Sequence, residues 1–178
     1  FIGHIFAGLM TLLFAVSANS QSTATVFSDD FTASAGTGYT SAAGFVGTST
    51  VWSHSGSGTD FGARINGGIA TLSNDASAAA NANGWNMIST STASFTAPYN
   101  TTLGSNPGVV TWTFNMRQQQ ANPSGFASGN YGAAFILVGT SGTTNSVGTG
   151  YAVTLGNAGK TDPLKLVRYS GGLQTATQ

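Results

Sequence analysis

The side chains in this 178-residue chain that could do chemistry are few: five aspartates at positions 29, 30, 60, 75 and 162, histidines at 4 and 54, and neither glutamate nor cysteine. Glycoside hydrolysis on a β-sandwich needs two carboxylates facing one another on a sheet. No strand-like run here carries such a pair. Asp29 and Asp30 are adjacent in Val26-Phe27-Ser28-Asp29-Asp30-Phe31, so on an extended backbone they point to opposite faces and cannot work as an acid/base dyad. They leave two readings open, calcium ligation and turn-capping or backbone bonding; the first needs six or more oxygens, and further donors are not identifiable. His54, in Trp52-Ser53-His54-Ser55-Gly56, reads as an exposed loop histidine, because no Gly-x-Ser-x-Gly elbow supplies a nucleophile for a triad with Asp60. One histidine outside the N-terminal segment and no thiolate make a zinc site untenable. No catalytic residue is assigned, and no cofactor beyond that calcium ion is implied.

Binding chemistry has a second source in the aromatics. Trp52, Trp85 and Trp112, with five tyrosines, offer flat faces on which a sugar ring could stack, although large aromatics also dominate sandwich cores. Trp112 shares a face with Val110 and Phe114 and is expected in the core. Trp52 and Trp85 adjoin Gly- and Ser-rich stretches and are the candidate ligand-binding pair. The polar segment Gln118 to Gly129, with Pro123 and Gly125, is a surface connection in which further ligand contacts could lie. Asn100-Thr101-Thr102 is a glycosylation-type sequon, a weak signal on its own.

The elements that must position these residues are strands. Short β-prone runs bounded by Gly, Asn, Ser or Pro recur from Thr25 to Gln178, the pattern of an all-β sandwich or barrel. In Val109 to Arg117, VVTWTFNMR, Val110, Trp112, Phe114 and Met116 alternate with polar residues, giving one core face and one wet face. Asn130 to Val138, NYGAAFILV, is apolar on both faces and predicts a central, doubly covered strand; Gly150 to Leu155 gathers Tyr151, Val153 and Leu155 on one face. Asn66-Gly67-Gly68 and Ser170-Gly171-Gly172 each predict a tight hairpin turn. The Ala-rich stretch from Asp75 to Asn83 is a single helical turn or a loop. About nine strands suit two packed antiparallel sheets, jelly-roll or concanavalin-like, better than a seven-stranded immunoglobulin domain, which stays open as the alternative.

Composition narrows the function class. Charged residues are 6% of the chain with five of each sign, against about a quarter in ordinary soluble proteins. The bases Arg64, Arg117, Lys160, Lys165 and Arg168 are too scattered for a nucleic-acid footprint. Solubility rests on Ser, Thr, Asn and Gly, a composition that suits extracellular β proteins. From Ile5 to Val16, IFAGLMTLLFAV is too short to cross a bilayer but matches the apolar region of a signal peptide. Small residues place cleavage after Ala18 or Ser20. The expected organisation is a signal-peptide helix over 1–20, then one β-sandwich domain over 21–178 with no membrane span, secreted or displayed on the cell surface. A start on Phe1, and a strand-like run restarting at Leu173 just before the end, predict a piece of a longer product with a truncated sandwich and further domains downstream.

Several of these segments together, the early Asp29-Asp30-Phe31, Ile65-Asn66-Gly67, Asn100 to Leu103, VVTWTFNMRQ, Gly125-Phe126 with Asn130-Tyr131-Gly132, Gly150 to Val153 and LKLVRYSGGL, resemble the N-terminal concanavalin-like β-sandwich region of large secreted bacterial surface proteins. The resemblance runs from about Phe27 to Leu173. In those proteins the region follows the signal peptide, and lamin-tail or immunoglobulin-like modules and a type IX sorting domain often come after it. It implies a non-catalytic structural or interaction module, in adhesion for example, with cell-surface polymers or glycans and the downstream domains as partners. An early acid in that fold can hold calcium or bond the last strand. The alternative is a carbohydrate-binding module of a secreted hydrolase, with Trp52 and Trp85 at the sugar site.

Overall fold

The structure, a computed structural model, describes residues 24–32, 38–46, 51–74, 84–102, 108–119, 123–126, 130–140, 142–144, 146–156 and 163–175. The segment expected to be a signal peptide, the Ala-rich stretch with Asp75, and Asp162 with Lys160 lie outside them. The described chain is all-β with almost no helix. Its eight strands are β1 (Gly44–Phe45), β2 (Ser53–Ser57), β3 (Phe61–Asn66), β4 (Ile69–Asn74), β5 (Trp85–Ser89), β6 (Ala133–Gly139), β7 (Thr149–Leu155) and β8 (Leu164–Ser170). All pairings are antiparallel, in a sheet ordered β1-β2-β5, a β3-β4 hairpin and a sheet ordered β6-β7-β8. The one α-helical turn, α1 (Tyr99–Thr102), carries the Asn100 sequon.

The β3-β4 hairpin forms where its glycines predict it. Asn66 pairs with Ile69, leaving Gly67 and Gly68 as a two-residue loop with φ of 59° and 78°. Positive φ at both positions is what a loop matching the strand twist requires. Thr40 and Ala63 exchange both backbone N–H to carbonyl bonds at 2.9 Å, which ties the approach to β1 onto β3. Val46, Ala63 and Ile65 are the buried centre of this half, with Phe31, Trp52, Ala70 and Ile88 packed against it. Gly56 makes room for an aromatic here: a Cβ at this position would lie 2.5 Å from Phe61 Cε2.

The second centre lies on β6-β7-β8. Ala152, Val167 and Tyr169 are buried, with Ala134, Ile136 and Leu173 against them. Tyr151, Val153 and Leu155 share one face of β7 as expected, and it is not the buried one. The buried face is Gly150, Ala152 and Thr154, and Tyr151 on the apolar face is 49% exposed. The reason is steric. The bulky partner on the buried side is Tyr169, and a Cβ at Gly150 would come within 2.5 Å of its hydroxyl. Small residues on β7 leave the space that the ring fills.

Three other segments depart from their expected pairing. Among the described residues Asn130 to Val138 is paired on one side only: its paired part, β6, is an edge of the described sheet, and the pairing shifts register between Ile136 and Val138, the mark of a bulge. Ser170-Gly171-Gly172 does not turn a hairpin. The N–H groups of Gly171 and Gly172 donate to Gly148 O at 2.8 and 2.9 Å, so the two glycines fold the chain back onto the entry to β7, and Leu173–Thr175 follows as a 3-10 turn. Val109 to Arg117 keeps its alternation of exposed and half-buried side chains without entering a described ladder. Its inward face is nevertheless placed against β6, where the Phe114 ring stacks on Phe135 with centroids 3.8 Å apart and planes 8° from parallel.

Candidate functional site

Residues 24–32 do not join a sheet; they turn, and the turn is built by the two acids. Asp29 Oδ1 accepts the Phe31 N–H at 2.7 Å, and Asp29 Oδ2 accepts the Trp52 indole N–H at 2.6 Å. The first bond is an Asx turn, and it holds Phe31 at φ 58°, a left-handed conformation rare for so bulky a residue. The conformation is sustained because it swings the Phe31 ring onto Trp52, with centroids 5.5 Å apart. Phe27 meets Trp52 edge-on at 6.0 Å and stacks on Phe95 at 5.3 Å. A single carboxylate thus fixes both the aromatic cluster and the backbone that delivers it. This is the backbone-bonding role expected of one of the two acids.

Asp30 points outward. Its Oδ1 accepts the Thr32 hydroxyl at 2.6 Å and the Thr32 N–H at 3.0 Å. These bonds, the hydroxyl's foremost, favour the ionised carboxylate and lower its pKa below the ordinary aspartate value. A calcium ion at this turn would compete with the Trp52 and Phe31 N–H groups for Asp29. Among the described residues no three His, Cys, Asp or Glu side chains come together as a metal site. Because both oxygens of Asp29 are engaged, millimolar calcium is expected to leave the melting temperature unchanged within error; a rise of several degrees, lost in an Asp30→Asn variant, would establish a site here.

Trp52 and Trp85 occupy different places. Both are half-buried rather than exposed. Trp52 precedes β2, and Trp85 opens β5 opposite Ser57 at the far end of β2, five residues or about 17 Å along the strand. Trp52 falls on the face of His54 and Gly56, and packs against the Val46, Ala63 and Ile65 centre. Trp85 shares the opposite face with Ser57, its cross-strand partner. One sugar ring cannot lie on both.

A second polar constellation centres on His54. It is not a loop residue: it sits in β2 and is 1% exposed. Its Nδ1 lies 2.9 Å from Ala42 O and its Nε2 2.6 Å from Asn86 Oδ1. Asn86 Nδ2 in turn donates to Gly62 O at 2.7 Å and Ser73 O at 2.8 Å. One half-buried amide thus joins β5 to β2, β3 and β4. The signal for it was available. In Trp85-Asn86-Met87-Ile88, position 86 shares the core face with Ile88, and an asparagine there requires partners.

No family model, no curated protein and no solved structure matches the chain. Chemistry must therefore be read from these contacts. Asp29 and His54 have the form of catalytic groups, but their polar atoms bond to other parts of the fold. Among the described residues no helix is long and apolar enough to cross a membrane.

Proposed function

We propose that the chain is a non-catalytic extracellular module: a β-sandwich of jelly-roll or concanavalin-like kind, exported and displayed at the front of a larger surface protein, where it spaces or presents other domains and contributes to adhesion. The observation that carries this reading is the engagement of Asp29 and His54 within the fold, which turns the most reactive side chains into structural ones. The serine-, threonine- and asparagine-rich composition and the resemblance of the segments from Phe27 to Leu173 to front regions of secreted bacterial proteins point the same way.

The carbohydrate-binding alternative draws its support from Trp85 more than from Trp52, whose indole N–H is already bonded to Asp29. A polysaccharide array of the secreted protein and its Trp85→Ala variant separates the two. Absence of glycan binding by the native chain is expected. Binding that disappears in the variant would replace the structural reading with a sugar-binding one. The same preparation tests export: a mature chain starting at Asn19 or Gln21 supports it, and one still carrying Phe6 to Phe14 overturns it.

A further inference from the structure

Asn66 and Gly67 stand side by side at the corner of the β3-β4 hairpin, where their chemistry is unprotected. The side-chain carbonyl carbon of an asparagine and the backbone nitrogen of the next residue can close a five-membered ring. In most strands that nitrogen is tied into a ladder or crowded by its own side chain. Neither holds at Gly67. Its nitrogen belongs to the two-residue loop, outside the paired positions, which end at Asn66 and Ile69. Gly67 is exposed, and even a Cβ built there would meet nothing within 4 Å. Asn66 falls on the face of β3 opposite the buried Ala63 and Ile65. Other asparagines are held: the Asn86 amide bonds to Gly62 O, Ser73 O and His54, and Asn130 Nδ2 donates to Ser124 O at 3.3 Å. Among the described residues no such bond fixes the Asn66 amide. Asn86 is also followed by Met87, which is paired with Ser55 in the ladder.

We propose that Asn66 is a site of spontaneous covalent modification in the folded protein, where attack by the Gly67 nitrogen converts the asparagine to aspartate and isoaspartate. The Gly67 nitrogen bonds to Asn66 Cγ, the Cγ–Nδ2 bond breaks, and Nδ2 leaves as ammonia with the proton that Gly67 gives up. The product is a cyclic imide. Water then opens it: cleavage at Cγ leaves aspartate, and cleavage at the original peptide carbonyl leaves isoaspartate, whose backbone runs through Cβ and Cγ. The motion required is small. Ile69, across from Asn66, is 62% exposed, so opening this last pair frees Asn66 to rotate while Ile65 stays paired with Ala70 beneath it. Ends of ladders open more readily than their cores. The two products act differently on the hairpin. Asp-Gly suits this turn as Asn-Gly does, so aspartate keeps the register. Isoaspartate adds one backbone atom to a loop whose two residues match the strand twist, one position from the buried Ile65.

Incubation of the full chain at 37 °C and pH 8.5, followed by peptide mapping with fragmentation in the mass spectrometer, tests the site. Position 66 is expected to gain the mass of an amide turned into an acid, while Asn86 stays intact. Fragmentation separates position 66 from Asn83, which also precedes a glycine and lies outside the described residues. Conversion should be slower than in guanidinium chloride by no more than about tenfold, the factor for opening one hydrogen-bonded pair. It should also be faster at pH 8.5 than at pH 6.5, because the attacking nitrogen must lose its proton. Asn66→Gln, whose longer side chain closes a ring far less readily, should show no change at position 66. The isoaspartyl fraction is expected to melt below the native protein, whereas Asn66→Asp melts together with the native protein. An Asn66 that stays intact in the native chain while the unfolded chain converts overturns the proposal, as does equal conversion of Asn66 and Asn86. An isoaspartyl form that melts with the native protein overturns the effect on register. Should Asn66→Gln fail to fold, the comparison of native and unfolded chains decides alone.

Discussion

Tyr169→Ala is expected to lower the unfolding free energy by about 3–5 kcal/mol, the range for truncating a large buried aromatic. The ring is 1% exposed and is the largest side chain of the β6-β7-β8 centre. Its neighbours cannot collapse into the space it leaves, because the positions facing its hydroxyl are Gly139 and Gly150, which have no side chain to move. Urea unfolding followed by fluorescence measures the loss. Tyr169→Phe separates volume from polarity. The hydroxyl contact with Thr143 Oγ1 is long, 3.5 Å, and Thr143 keeps its own bond to Thr140 O at 2.8 Å; removing the phenol oxygen should cost under about 1 kcal/mol. Comparable losses in the two variants would show that the hydroxyl, and not the ring, holds this half together.

Asn86→Leu should also be damaging, at about 2–3 kcal/mol, although the substitution nearly conserves volume and adds apolar character. Leucine would remove the amide's bonds to Gly62 O, Ser73 O and His54 Nε2 at once, and each hydrogen bond lost costs about 0.5–1.5 kcal/mol. The losses will not add fully, since the three groups share one site. Double-mutant cycles with His54→Leu check the account: the pair should be less destabilised than the sum of the singles, because removing both members leaves fewer orphaned atoms. Additive losses would mean that Asn86 and His54 act separately.

How much of this was legible beforehand differs from element to element, for physical reasons. Ile65-Asn66-Gly67-Gly68-Ile69 announces its hairpin because two consecutive positive φ values are a local requirement that glycine meets locally. Ser170-Gly171-Gly172 has the same glycines, but what their N–H groups bond to, Gly148 O, lies 23 residues upstream and is invisible in a window around the turn. The period-two pattern of β7 was readable, whereas its inward side was not. Hydrophobicity favours Tyr151, Val153 and Leu155, yet burial followed the free space beside Tyr169 and selected Gly150, Ala152 and Thr154. At the site, the backbone-bonding role of Asp29 was within reach because an Asx turn spans two residues. Burial of His54 was not, because a histidine set among serines and glycines resembles a loop until Ala42 and Asn86 are known to meet it.

The outward face of the third sheet bears on self-association. Among the described residues β8 pairs only with β7, and it turns Leu164 and Leu166 outward at 66% and 64% exposure. A sheet edge with apolar side chains is a template on which another chain can add a strand. The sequence has only five basic residues, and Lys165 and Arg168 place two of them within these seven positions. In a chain that otherwise does nearly without charge, the two cations put like charge on the edge along which strand addition would bring two copies together.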